Sequence, residues 1–194
     1  MLGIFLGLVL EQTKFPGKKL VVRVNRTLMG APPVVIGLLT YMLLRKKGPF
    51  GALRWVFTIK GMVAAQVLII TPIVCGMVYS YAVSTAPSIR AFARTMGADR
   101  HQTARLLLRE MKNEIYFAVV SGYGRSISEV GAVFLVGGNI KNSTRTMTTA
   151  ISTLKGAGDY YEGVFLGVIL MLLAFAVQTL AEHFRQEETP DENL

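Results

Sequence analysis

The sequence predicts an all-α membrane protein, a polytopic bundle of transmembrane helices. Apolar residues make up 52% of its 194 residues and charged residues only 17%, against about 25% charged residues in soluble domains. Several long runs are almost free of charge, and a helix needs about 20 apolar residues to cross a bilayer. This composition excludes a disordered chain, and the single Cys75 excludes a disulfide framework within the chain.

The predicted spans follow the uncharged runs. The clearest are 61–83 and 163–181, which contain no charged residue, and 28–44 is shorter but also uncharged. The run 115–138 is apolar apart from two charges and some hydroxyls. Residues 1–10 are apolar but too short to cross alone, and they look more like the second half of a spanning helix than a signal peptide or a short interfacial helix. We therefore expect four or five spans in one transmembrane domain that covers the whole chain.

Two pairs of glycines suggest close helix packing within these runs. Gly3 with Gly7, and Gly163 with Gly167, have the G-x-x-x-G spacing that lets helix backbones approach each other. Because the chain contains 19 glycines, chance is the competing explanation. Pro72 lies inside a predicted span, where proline removes a helix hydrogen bond and bends the helix.

The segment 85–112 interrupts the spans and is both amphipathic and basic. Its apolar residues repeat at helical spacing over two short stretches, first Ile89, Phe92, Ala93 and Met96, then Ala104, Leu107, Leu108 and Met111. Gly97 can end the first helix in the left-handed conformation, and Asp99 can cap the second with Gln102 as its capping-box partner. The excess of cations indicates a cytoplasmic location. Contact with lipid, a topology anchor and docking of a cytoplasmic partner all fit this pattern.

Two charged residues lie within the run 115–138. Arg125 and Glu129 are four residues apart, so they share one helix face and can pair. Ionisable residues within a span usually face the bundle interior or a wet cavity. The pair is therefore either part of a pathway or a structural ion pair between helices, and the surrounding glycines, including Gly131, fit both interpretations.

The stretch that follows this run is rich in hydroxyl and amide groups. Asn139, Thr144 and Thr146 stand there with Lys141 and Arg145. Hydrogen-bond donors beside two cations would suit an oxyanion, which only accepts hydrogen bonds. The alternative is a polar extracellular loop whose side chains cap helices.

The sequence contains no catalytic constellation. The phosphate-loop and H-E-x-x-H motifs are absent, one cysteine cannot build a thiolate zinc site, and Ser121-Gly122 alone does not form a nucleophile elbow. We therefore predict a protein that is not an enzyme and has no metal or cofactor of its own. Any energy for transport would come from a gradient or from another subunit.

Several strings resemble the permease subunits of ATP-binding-cassette importers, specifically the tungstate permeases and their molybdate relatives. They are KFPGKK at 14–19, APPVVIGLL at 31–39, MGADRHQTARLLLRE at 96–110, GYGRSISEVGAVFLVGGNIKN at 122–142 and TRTMTTAI at 144–151. The likeness covers nearly the whole chain, and its most specific part is the block 122–151.

These permeases carry a cytoplasmic loop with the pattern Glu-Ala-Ala, three residues, then Gly. Ala93 and Gly97 match this pattern, whereas Ala91 and Phe92 stand where the family has Glu and the first Ala. The resemblance implies that this loop docks on a separate ATPase. The coupling residues that it implies are Ala93, Gly97, Ala98, Asp99 and Leu107.

The resemblance also implies a type I importer permease in the plasma (inner) membrane, with its amino terminus outside. The family begins before the stretch that matches 2–10, so the first span is expected to be incomplete here. The implied partners are a substrate-binding protein, a second copy of the permease, membrane lipid and an ATPase that binds ATP and Mg²⁺, with no nucleic acid. The implied translocation path or gate consists of Arg125, Glu129, Gly131, Asn139, Thr144 and Thr146.

The implied cargo is a tetrahedral oxyanion. Tungstate is the first expectation, and molybdate or sulfate is the alternative within the same kind of importer. An ion-coupled secondary transporter, with Arg125 and Glu129 as an ion relay, is the further alternative, and it would need no ATPase.

Overall fold

The computed structural model describes residues 1–187, with side chains through residue 183, and over this part it contains helices and no strand. The α-helices are α1 Leu2–Gln12, α2 Lys18–Met29, α3 Pro33–Leu44, α4 Ile59–Thr95, α5 Arg100–Glu110, α6 Lys112–Ile127, α7 Gly131–Gly137, α8 Met147–Ala157 and α9 Tyr160–Glu187. This confirms the all-α fold. Residues 188–194, which the sequence assigned to the same domain, lie outside the described part.

Two of the described helices are long and apolar enough to cross a membrane, over Ile59–Thr95 and Tyr160–His183. The pair α2 and α3 adds a third candidate if it is taken as one broken span. Pro33 occupies the start of α3, where a missing N–H costs nothing, and proline disfavours the helical conformation in the residue before it. The predicted span 28–44 is therefore interrupted and becomes continuously helical only from Pro33.

The predicted run 115–138 is also not one helix. α6 ends at Ile127 and α7 begins at Gly131. Between them, the buried carboxylate of Glu129 accepts a hydrogen bond at 3.0 Å from the backbone N–H of Ala132, in the first turn of α7. A side-chain acceptor at this place satisfies one of the N–H groups that every helix start leaves free, so it stabilises the start of a new helix.

Helix α4 continues well beyond the predicted span 61–83. It runs to Thr95 with Pro72 and Pro87 inside it, so the first amphipathic helix expected after Pro87 is the last part of α4. The buried side of α4 carries alanines on both sides of this region, and Ala82 and Ala86 are completely buried. Tertiary packing of this face outweighs the helix-breaking tendency of Pro87.

The contacts of the described residues divide the chain into two compact units, each assembled from two separate stretches. The first unit comprises 1–30 and 70–122, and the second comprises 31–69 and the chain from 123 onward. Because these stretches alternate along the sequence, the units are not successive domains.

The core of the first unit lies where α4 packs with α5 and α6. Its buried members are Val74, Val78, Ala82, Ala86, Leu107, Met111 and Ala118, with Ile4 and Leu8 of α1 packed against them. A Cβ added at Gly3 would lie 2.9 Å from the carbonyl oxygen of Thr71, and one at Gly7 would lie 2.9 Å from that of Cys75. The close approach predicted for this glycine pair is confirmed.

The second unit contains two close helix pairs. α3 packs against α7, where a Cβ at Gly37 would lie 2.5 Å from the Cα of Ala132, and α8 packs against α9. Gly167 has no neighbour within 4 Å of an added Cβ among the described residues, so the second G-x-x-x-G pair makes no close contact at that position. The apolar side chains of α9 are largely exposed, as expected for a helix that faces lipid.

Candidate functional site

The turn around Gly97 has the geometry predicted for it. Gly97 has a φ of +68°, its N–H donates to the Arg94 carbonyl at 3.1 Å, and the Ala98 N–H donates to the Ala93 carbonyl at 2.9 Å. Together these two bonds form a Schellman motif, which closes a helix on a left-handed residue. A residue with a side chain is strained at this φ, so glycine fixes the sharp end of α4.

The helix after the turn is capped as the sequence predicts. The Gln102 N–H donates to Asp99 Oδ1 at 2.7 Å, and the Asp99 N–H donates to Gln102 Oε1 at 2.9 Å. This reciprocal capping box anchors the start of α5. Ala93 and Leu107, one on each side of the turn, are both buried in the first unit. Ala98 follows Gly97 and bonds back to α4 through its N–H.

The apolar stripe predicted for the first stretch is only partly correct. Ala93 is buried, but Phe92 and Met96 are exposed, Met96 to 71%. In the second stretch Leu107 and Met111 are buried, whereas Leu108 is exposed. Both stretches are helical as predicted, but their buried faces are narrower than the predicted apolar stripes. The turn therefore presents apolar side chains together with the exposed Arg94 and Arg100.

An ion pair joins α1 to the base of this loop. The Arg90 guanidinium donates to both carboxylate oxygens of Glu11, at 2.8 and 2.6 Å. The Glu11 side chain is 7% exposed and that of Arg90 36%. Two parallel N–H···O bonds between charged groups are among the stronger polar contacts in proteins, so α1 and the end of α4 are tied together.

Arg125 and Glu129 form the predicted ion pair, but across a helix break. Arg125 Nη2 lies 3.3 Å from Glu129 Oε2, while Glu129 Oε1 accepts from the Ala132 N–H. Glu129 is 4% exposed, and Arg125 is partly exposed. Gly131 begins α7, where a Cβ would lie 2.6 Å from Cγ2 of Val34. Glu129 therefore serves the local structure, and Arg125 is the member of the pair that can meet other groups.

The amide and hydroxyl groups after α7 are largely used inside the protein. The Thr144 hydroxyl donates to the Gly137 carbonyl at 2.5 Å and accepts from the Ile140 N–H at 2.9 Å. Asn139 has a φ of +51°, and its Nδ2 donates to the Thr153 hydroxyl at 2.6 Å. The Asn139 Oδ1 is buried without a hydrogen-bond partner in the described part of the chain, and an acceptor does not favour an anion.

Thr146 caps α8. The Thr149 N–H donates to the Thr146 hydroxyl at 3.3 Å, and the Thr146 N–H donates to the Thr149 hydroxyl at 2.9 Å, which is again a capping box. The Thr148 hydroxyl donates to the Glu129 carbonyl at 3.2 Å, so the start of α8 is bonded to the break before α7. The geometry favours the alternative of a polar stretch that caps helices over direct donation to an anion.

The six path candidates all lie in the second unit, and the five coupling candidates all lie in the first. The described residues include no cluster of three or more His, Cys, Asp or Glu that could hold a metal. Sequence reasoning missed the pair Glu11–Arg90, because its members are 79 positions apart. The available signal was a single acidic residue, Glu11, at the end of an otherwise apolar helix.

Long apolar helices with exposed side chains, together with a basic amphipathic loop, are typical of a multi-pass membrane protein. Residues 2–187 match the family described as "Binding-protein-dependent transport system inner membrane component". The match covers nearly the whole chain, so the protein belongs to this family, and it is a multi-pass membrane protein.

Three relatives show how broadly this similarity extends. The tungstate uptake system permease protein TupB of Peptoclostridium acidaminophilum is 37% identical over 96% of this chain and 80% of its own. A probable anion ABC transporter permease protein of Haloferax volcanii is 36% identical over 99% and 84%. The TupB protein of Campylobacter jejuni is 30% identical over 89% and 72%.

Proposed function

We propose that this chain is the membrane permease of an ATP-binding-cassette importer that takes up tungstate. The observation that carries the proposal is the similarity to the P. acidaminophilum tungstate permease, which extends over 96% of this chain. The C. jejuni relative has the same description. Because the similarity extends over nearly the whole length of this chain, it includes the membrane-spanning helices and not only a short segment.

The permease works with partners that supply energy and substrate. A separate ATPase binds ATP and Mg²⁺, a binding protein delivers the oxyanion, and two copies of the permease form the pathway. The structural support is the turn at Gly97, because its Schellman motif and the Asp99 capping box hold a rigid, exposed surface. In this proposal the turn contacts the ATPase, and Ala93 and Leu107 position it.

Within the second unit, Arg125 contributes to the lining of the path or its gate. Its guanidinium is partly exposed and is oriented by Glu129, which is itself held by the Ala132 N–H. A cation beside a pathway raises the local concentration of anions. Gly131, Asn139, Thr144 and Thr146 maintain the backbone around this group rather than bind the anion directly.

Reconstitution tests this function. The full chain is placed in proteoliposomes with an ATPase and a binding protein of this kind of importer from the same organism, and uptake of isotopic tungstate is measured with and without ATP. We expect uptake that requires both partners and hydrolysable ATP. The matched control is the same preparation with an ATPase whose phosphate-loop lysine is replaced.

The outcome separates the alternatives. If unlabelled molybdate or sulfate inhibits the uptake of isotopic tungstate at a lower concentration than unlabelled tungstate does, the importer is assigned to that other oxyanion. Uptake that follows an ion gradient in vesicles lacking the ATPase would contradict the proposal and favour a secondary transporter.

A further inference from the structure

A basic cavity of the first unit lies outside both candidate sites. It has a volume of about 690 Å³ and is bounded by the link between α1 and α2, the first turns of α2, and Tyr79 of α4. Five cationic side chains line it, namely Lys14, Lys18, Lys19, Arg23 and Arg26. None of the residues that line it is acidic, so the cavity is strongly electropositive.

The protein neutralises little of this charge. Lys18 is used for structure, because its Nζ donates to the carbonyls of Glu11 and Thr13, both at 3.1 Å, and lies 5.7 Å from the centre of the Tyr79 ring. Glu11, the nearest carboxylate in sequence, is bound by Arg90. The remaining cations, Lys14, Lys19, Arg23 and Arg26, are exposed and form no ion pair with the carboxylates of the described residues.

Helix α2 places this charge beside an unburied apolar surface. One side of the helix contacts α4, where Asn25 Nδ2 donates to the Pro72 carbonyl at 3.1 Å. A second side carries Lys19, Arg23 and Arg26, as expected from their helical spacing. The third side carries apolar residues that are exposed, namely Leu20 (64%), Val21, Val24 and Leu28. A helix with adjacent basic and apolar faces is typical of a membrane interface.

From this arrangement we propose that the cavity binds the headgroup of an anionic phospholipid, with the acyl chains lying along the exposed apolar side of α2. The phosphate would be held by Lys19, Arg23 and Arg26 as charge-assisted hydrogen-bond donors. The start of α2 adds to the attraction, because Gly17 offers no side-chain cap there and a helix amino terminus favours negative charge.

The apolar side of α2 selects a lipid over a free anion as the occupant. A dissolved phosphate would gain only from the cations, whereas a phospholipid would also cover Leu20 and Val24 from water. The basic residues are confined to the cavity side of the helix, so charge and apolar surface match the two parts of a lipid molecule. The site would anchor the link between α1 and α2 at the membrane surface.

Native mass spectrometry of the detergent-purified full chain tests this proposal. Phosphatidylglycerol and phosphatidylcholine with identical acyl chains are added at equal concentration, and the bound lipids are counted. We expect a preference for phosphatidylglycerol that the triple variant K19Q/R23Q/R26Q lowers by on the order of a hundredfold, since each of the three cations is worth about fivefold near an anionic headgroup. The charge-preserving variant K19R/R23K/R26K should keep most of the preference.

A matched control removes the same number of charges elsewhere. Arg45, Lys46 and Lys47 are exposed and belong to the other unit, so R45Q/K46Q/K47Q should keep the preference for phosphatidylglycerol. An equal loss in both triple variants would show a general charge effect and overturn the proposal. Equal binding of the two lipids by the unaltered protein would overturn it as well.

Two further arms use the unaltered protein and do not depend on variants that fold. Raising the salt concentration should lower the preference, because exposed charges are screened; a preference that does not change with salt contradicts the role of the cations. Inorganic phosphate or tungstate at the same concentration as the lipid should not displace it. Displacement by either would identify a free-oxyanion site instead.

Discussion

The ion pair between Glu11 and Arg90 should contribute measurably to stability. Replacing Arg90 with Gln leaves the Glu11 carboxylate, which is 7% exposed, without its partner. Breaking a buried ion pair costs about 3–5 kcal/mol, whereas exposed pairs are worth about 0.2–1 kcal/mol. Because the Arg90 side chain is 36% exposed, water screens its charge. We therefore expect R90Q to lower the free energy of unfolding by about 2 kcal/mol, between these two ranges.

The reverse substitution should be milder. In the Glu11→Gln variant, Arg90 can still reach water, and the amide oxygen of the new glutamine can accept one hydrogen bond from it. We therefore expect the free energy of unfolding to fall by about 1 kcal/mol. The double variant E11Q/R90Q removes both charges. It should be more stable than the sum of the two single losses implies, because the unpaired carboxylate of R90Q is then absent.

The assay is unfolding of the detergent-purified full chain, followed by circular dichroism, for the original protein, both single variants and the double variant. Such a double-mutant cycle isolates the interaction of the two side chains. Arg94→Gln is the control, since Arg94 is exposed, lies one helical turn further along α4 and forms no ion pair in the described part of the chain. Strictly additive losses, or a loss in R94Q equal to that in R90Q, would refute the reasoning.

Three further substitutions test the packing, the turn and the helix break. Gly7→Val should destabilise the chain by about 1–3 kcal/mol through overpacking against α4, whereas Gly167→Val should change it little; equal melting temperatures would contradict this. Gly97→Val should uncouple ATP hydrolysis from tungstate uptake, because valine is strained at a φ of +68°; normal coupling would count against docking at this turn. Glu129→Ala should destabilise the chain by about 1–2 kcal/mol, because it removes the acceptor for the Ala132 N–H. Glu129→Gln keeps an acceptor oxygen and should be milder. Equal losses of stability in the two variants would show that the charge of Glu129, and not its hydrogen bond, stabilises the helix start.

Local rules predicted the turn at Gly97 in detail. The left-handed Gly97 and the box formed by Asp99 and Gln102 follow from residues within a few positions of each other, and both are present in the structure. The end of α4 was harder to predict, because Pro87 suggested a helix boundary. Burial of Ala82, Ala86 and Ala93 keeps the helix intact through this proline, and burial depends on partners far away in the sequence.

The helix break at Glu129 shows a second limit of sequence patterns. Spacing alone correctly paired Arg125 with Glu129, but it assumed one helix face. The structure keeps the pair at 3.3 Å while α6 ends between the two residues. An apolar run that can span a membrane does not reveal where a buried carboxylate starts a new helix, since that depends on the N–H group it meets.

The candidate path illustrates why residue type does not establish a binding role. Thr144 and Thr146 looked suitable as donors to an oxyanion, yet the first closes the turn after α7 and the second caps α8. The buried Thr144 hydroxyl must give up its bond to the Gly137 carbonyl before it can donate to a ligand, and leaving a buried backbone group unpaired costs about 1–3 kcal/mol. Arg125, which is partly exposed and held by a buried carboxylate, faces no such cost. Among the candidate path residues, Arg125 is therefore the one whose charge is available to a ligand, whereas Thr144 and Thr146 hold the local backbone in place.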